Sequence, residues 1–83
     1  EPAAGLNPSE RREFVDILLK THERGIDLFL IEHNMDVIKC ADHIIDLGPE
    51  GGAQGGNVVV CGTPHEVAAC PDSYTGRYLK EKL

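Results

Sequence analysis

The chain has 83 residues, 41% of them hydrophobic and 27% charged, an ordinary globular range that argues against disorder. Eight Lys and Arg against fourteen Asp and Glu give a formal charge of −6, which argues against a dedicated nucleic-acid surface, because phosphate neutralisation needs clustered cations. No apolar run approaches the roughly 20 residues that cross a bilayer.

The length fits one small domain or a piece of a larger one, and a chain this short buries about 60–65% of its unfolded surface and is marginally stable. The opening residues, Glu1-Pro2-Ala3-Ala4-Gly5, lack the basic and apolar regions of a signal peptide. Cys40, Cys61 and Cys70 form an odd, irregular set that makes a poor disulfide framework and fits a reducing cytoplasm. Each reads as a small buried hydrophobe. With two Phe, two Tyr and no Trp, a base-stacking platform is not expected.

In chain order, helices and strands alternate, which predicts an α/β arrangement. Asn7-Pro8-Ser9-Glu10 starts the first helix: Asn7 caps, Pro8 suits the first helical position and Glu10 reaches back. Phe14, Val15, Leu18 and Leu19 then recur on one face, and Gly25 ends the helix in a left-handed cap after Arg24. Residues 26–31, Ile-Asp-Leu-Phe-Leu-Ile, are almost wholly apolar and predict a strand buried on both faces, as in a parallel sheet. A helix leading into such a strand is the second half of a βαβ crossover whose first strand would precede Glu1.

Asn34 caps a second helix over 35–41 with Met35 and Ile38 inward, and Val37 is a third candidate. A short apolar strand follows at 43–47, then a turn-rich segment, 48–56, with five glycines, then a strand at 57–61 that can close a hairpin. Thr63-Pro64-His65-Glu66 is a second capping box opening a helix through Ala69, ended by Pro71. Ser73 caps a last helix over 73–82, which Gly76 weakens and which Tyr74 and Tyr78 pack onto the body.

The densest polar cluster is Glu32-His33-Asn34-Met35-Asp36, directly after the predicted buried strand, where α/β sheets place ligand sites. Two readings of His33 stand side by side: a donor into a crevice, or a loop histidine beside the cap Asn34. Glu1 on its own reads as a solvated charge. No His or Cys pair has zinc spacing, so no metal is expected. The glycine-rich segment lacks GxxxxGK[ST] and leads into a strand, so it reads as a turn and not as a phosphate cradle.

The strings Glu1-Pro2-Ala3-Ala4-Gly5-Leu6, Ile31-Glu32-His33-Asn34-Met35-Asp36-Val37-Ile38-Lys39, Asp46-Leu47-Gly48-Pro49-Glu50-Gly51-Gly52 and Gly62-Thr63-Pro64 resemble the end of an ABC-type ATPase domain. The resemblance is to the second, C-terminal nucleotide-binding module of UvrA-type excinucleases, and it covers residues 1–83. It implies a C-terminal fragment of a P-loop ABC-type nucleotide-binding domain, with strands flanked by helices. It also implies roles. Glu1 matches the acid after the Walker B aspartate, which orients the attacking water. Ala3, Ala4, Gly5 and Leu6 match the D-loop, which crosses to the other nucleotide site of the dimer. His33 matches the switch histidine at the γ-phosphate. Ala3 and Ala4 stand where the family usually has threonines, so those positions offer no hydroxyl, and Asn7 stands where it often has His.

The Walker A loop, the signature motif and the zinc modules have no counterpart in the sequence. The resemblance therefore implies ATP and Mg²⁺ in an intact parent and none bound by the 83 residues, which should not hydrolyse ATP. The implied parent is a cytoplasmic DNA-damage-recognition ATPase of nucleotide excision repair. Its partners would be a second ABC module, a homodimer mate, damaged DNA and the helicase subunit. Alternatives are a transport or antibiotic-resistance ABC ATPase, which lacks the DLGPEGG string, and a free-standing interaction module without catalysis. An unpaired 26–31 strand would also leave an apolar face open, which predicts self-association or a repacked first helix.

Overall fold

The computed structural model describes residues 3–48 and 57–83. Helix α1 (Pro8–Glu23) forms where its local signals place it. Asn7 Oδ1 accepts from the Glu10 backbone N–H at 2.8 Å and Glu10 Oε1 accepts from the Asn7 N–H at 3.0 Å, so two orphan donors of the first turn are satisfied reciprocally. Gly25, at φ +83°, closes the other end by donating its N–H to the His22 carbonyl at 2.9 Å. The apolar face of α1 is only half covered: Phe14, Val15 and Leu18 are intermediate, Leu19 is exposed and no residue of the helix is buried.

Residues 26–31 overturn the strand expectation. They form no helix or strand, and they are exposed where two-sided burial was predicted, Phe29 at 84% and Ile31 at 72%. An apolar run becomes a strand only when partners take up its backbone groups, and among the described residues the paired strands are two others. The open apolar face agrees with the expectation of an unpaired segment.

Helix α2 (Met35–Ile38) is shorter than the predicted 35–41, because the chain turns at Lys39 and Cys40. Strands β1 (Ile44–Asp46) and β2 (Val60–Gly62) pair antiparallel in the register Ile44↔Gly62, Ile45↔Cys61, Asp46↔Val60. The hairpin is therefore present, with β2 displaced toward Gly62 relative to the predicted 57–61. Within the glycine-rich segment, Gly48 sits at φ +88° and donates its N–H to Asp46 Oδ1 at 2.9 Å; residues 49–56 lie outside the described residues, so the turn reading there is untouched. Helix α3 (Pro64–Ala68) carries the second capping box, and α4 (Tyr74–Lys80) is capped by Ser73.

The core lies in this C-terminal half. Ile44, Val67 and Leu79 bury together, and Met35, Ile38, Ala41 and Val60 pack against them. Each such buried aliphatic side chain is worth about 1.5–3 kcal/mol. Gly76 lets α4 meet α3, since a Cβ there would collide with the Val67 carbonyl oxygen. Two further expectations fail here. Tyr74 and Tyr78 do not pack the last helix; they are exposed at 53% and 62%, and Leu79 on the opposite face docks it instead. The cysteines are not core residues: Cys40 and Cys61 are exposed and Cys70 is half-buried. In coarse terms the α/β class stands as a small mixed helix–strand unit, with the predicted antiparallel hairpin and, among the described residues, no parallel pair. Among the described residues, no helix is long and apolar enough to cross a membrane.

Candidate functional site

Two short stretches far apart in sequence meet at the start of α1. The first is a turn over residues 3–6, closed by the Leu6 N–H donating to the Ala3 carbonyl at 3.2 Å. Gly5 occupies the third position at φ +80°, a conformation that glycine adopts without strain. The turn feeds directly into the Asn7 cap, so α1 fixes its orientation.

The second stretch is the polar cluster after residues 26–31. Asn34 Oδ1 accepts from the Asp36 N–H at 2.9 Å and the Val37 N–H at 3.3 Å, which anchors the loop on α2 as predicted. Val37, at 4% exposure, pins that helix into the body. Glu32 binds both stretches. Its Oε1 accepts from the backbone N–H groups of His33 and Asn34 at 3.1 and 3.2 Å, and its Oε2 accepts from the Ala3 N–H at 3.1 Å. Charge-assisted bonds of this kind are the stronger class.

Between them lies a cleft of about 290 Å³, with residues 3–6 on one wall, 32–34 on the other, and Arg11 entering from α1. Its lining combines Arg11, His33 and the Glu32 carboxylate, whose two oxygens are engaged by backbone N–H groups. A larger groove of about 410 Å³ runs between α1 and α2, where Arg12 and Lys39 alternate with Asp16 and Asp36. It shares Arg11 with the cleft and holds none of the predicted site residues. Among the described residues, no group of three or more His, Cys, Asp and Glu could hold a metal ion.

The structure therefore brings Ala3, Ala4, Gly5, Leu6 and His33 to one cleft. Glu1, the other predicted catalytic residue, lies outside the described residues. Sequence reasoning assigned no role to Arg11 or to the Glu32 carboxylate. No spacing rule links Glu32 to a backbone N–H 29 positions earlier.

No family model matches the chain. Curated relatives do: it is 54% identical over 83 residues to UvrABC system protein A of Aquifex aeolicus, all of this chain and 9% of that protein. It is 56% identical over 81 residues to UvrABC system protein A of Deinococcus radiodurans, 98% of this chain and 8% of that protein. The crystal structure of UvrA2 from Deinococcus radiodurans superposes with a TM-score of 0.86 at 38% identity, covering all of this chain and 10% of that one. The chain thus spans about a tenth of the length of the proteins it matches.

Proposed function

We infer, from the premise that the chain is a UvrA-type segment, that its cleft is part of one nucleotide site of a longer ABC-type ATPase of excision repair. The observation that carries this reading is the hydrogen bond from the Ala3 N–H to Glu32 Oε2, because it holds the D-loop-like turn and His33 at one cleft. In this reading the chain is the C-terminal part of the second module, and the phosphate-cradling lysine comes from residues outside these 83.

His33 donates a hydrogen bond to a γ-phosphoryl oxygen as negative charge shifts in the transition state, and Arg11 adds positive potential from the first turns of α1. Residues 3–6 pass toward the neighbouring site. With alanines at positions 3 and 4, that turn acts through its backbone groups. Glu1 accepts a hydrogen bond from the attacking water and orients it in line. The donor set fits ATP phosphates: Arg11 and His33 line the cleft, and both oxygens of the Glu32 carboxylate are engaged by backbone N–H groups. Mg²⁺ bound with ATP would supply charge neutralisation at the phosphates. Among the described residues, no group of three or more His, Cys, Asp and Glu could hold it, and in our reading its ligands come from other parts of the parent.

The relatives' name, UvrABC system protein A, supports a role in the UvrABC system. In our reading the parent acts on damaged DNA in the cytoplasm, with a second module, a homodimer mate and the helicase subunit as partners. Identity of 54% over the whole chain favours this over a transport or antibiotic-resistance ATPase. The test is His33→Ala in the full-length protein. Hydrolysis should fall about 10²-fold, the usual cost of one lost transition-state donor, with ATP affinity within about twofold. Parallel loss of binding and turnover would remove the γ-phosphate role.

A further inference from the structure

Glu32 has three backbone N–H groups on one carboxylate, two from its own loop and one from the distant turn. The loop side is rigid, since Asn34 is locked to α2 through its side-chain oxygen. The turn side is a short segment that Ala3 ties in at both of its backbone groups, the N–H to Glu32 and the carbonyl to Leu6. Ala3 is 3% exposed, so water does not readily replace Glu32 as the partner of its N–H.

We propose that Glu32 is a positioning residue that couples the turn at residues 3–6 to His33. Any shift of the turn pulls on Oε2 and, through the shared carboxylate, on the His33 and Asn34 N–H groups bound to Oε1. The proposal rests on the nucleotide reading above and deepens it: residues 3–6 would carry the state of the neighbouring site, and Glu32 would pass it to the group that meets the γ-phosphate. The coupling is reciprocal, so occupancy at His33 also sets the position of the turn. An alanine at 32 breaks all three bonds. A glutamine keeps one acceptor oxygen and can serve the loop or the turn, not both.

The experiment compares Glu32→Ala, Glu32→Gln and His33→Ala in the full-length protein, reading steady-state ATP hydrolysis and amide exchange at Ala3 and Asn34. Glu32→Ala should lower kcat at least about tenfold with KM within about twofold, a free-energy change of about 1.4 kcal/mol. Glu32→Gln should recover part of that loss. Exchange at Ala3 should speed up about tenfold in Glu32→Ala. Unchanged kcat in Glu32→Ala beside an impaired His33→Ala would overturn the coupling, and so would unchanged exchange at Ala3. If His33→Ala alone keeps full turnover, the nucleotide reading fails, and the link between turn and loop is then decided by the exchange rate at Ala3.

Discussion

The two halves of the molecule are held by different physics. From β1 onward, elements close on one another: Ile44, Val67 and Leu79 form a buried cluster, and Ser73 is wholly buried. Before β1, α1 has no buried residue and residues 26–31 expose their apolar side chains. Yet α1 is the longest helix, at 16 residues, with the more complete set of local signals. Capping fixes where a helix begins, whereas tertiary burial decides how much it contributes to stability.

The sharpest way to break this contrast is to truncate a large apolar side chain on either side of it. Leu79→Ala removes a fully buried side chain at the α3–α4 contact and should cost about 2–5 kcal/mol. The whole stability of a chain this size is about 4–12 kcal/mol, so the thermal midpoint should drop by well over 10 °C. Phe29→Ser removes a larger side chain that is 84% exposed, and should move stability by about 0.5 kcal/mol or less. Comparable losses in urea melts would mean that residues 26–31 are covered in solution.

A second test sets two helix caps against each other. Ser73 Oγ accepts from the Gly76 N–H at 2.8 Å and donates to Asp46 Oδ2 at 2.6 Å, joining α4 to the end of β1. Asn7 makes its capping contacts in the open. Ser73→Ala leaves a buried N–H and a carboxylate oxygen unpartnered and should cost about 1–3 kcal/mol. Asn7→Ala should cost about 0.5–1 kcal/mol, the exposed-cap range. A double-mutant cycle of Ser73→Ala with Asp46→Asn should return a coupling of about 1 kcal/mol; additivity would place the cap's value in the helix terminus alone.

What the sequence discloses follows the range of the interactions. Asn7 with Glu10, Thr63 with Glu66, Ser73 and Gly25 are legible because each signal closes within four residues. The state of residues 26–31 is not, since a strand is a property of a pair and the local apolar pattern is silent about the partner. Tyr74 and Tyr78 share a face at helical spacing, but spacing does not say which face docks; Gly76 and Leu79 decide it. At the candidate site, Asn34 as a cap was legible locally. The proximity of residues 3–6 to His33 entered only through the family resemblance, and the Glu32 bridge between them spans 29 positions with no periodic trace.

The smallest effect is a titration on the stable side of the divide. In the α3 capping box, Glu66 Oε1 accepts from the Thr63 N–H at 3.1 Å while Thr63 Oγ1 accepts from the Glu66 N–H at 3.2 Å. The backbone N–H of Thr63 first, and then its side-chain hydroxyl, hydrogen-bond to the Glu66 carboxyl and hold it below its ordinary value of 4.5, with a further pull from the charge of His43. A carboxyl depressed in the folded state binds protons more readily in the unfolded chain. Its stabilisation is therefore full above about pH 4.5 and fades as pH falls through the lowered folded value. Glu66→Gln keeps an acceptor and removes the charge. The gap in thermal midpoint between the parent chain and Glu66→Gln should be open at pH 6 and narrow steadily below the ordinary carboxyl range. A gap of constant width from pH 6 to pH 3 would mean that the box holds α3 by geometry alone, with no contribution from the ionised carboxylate.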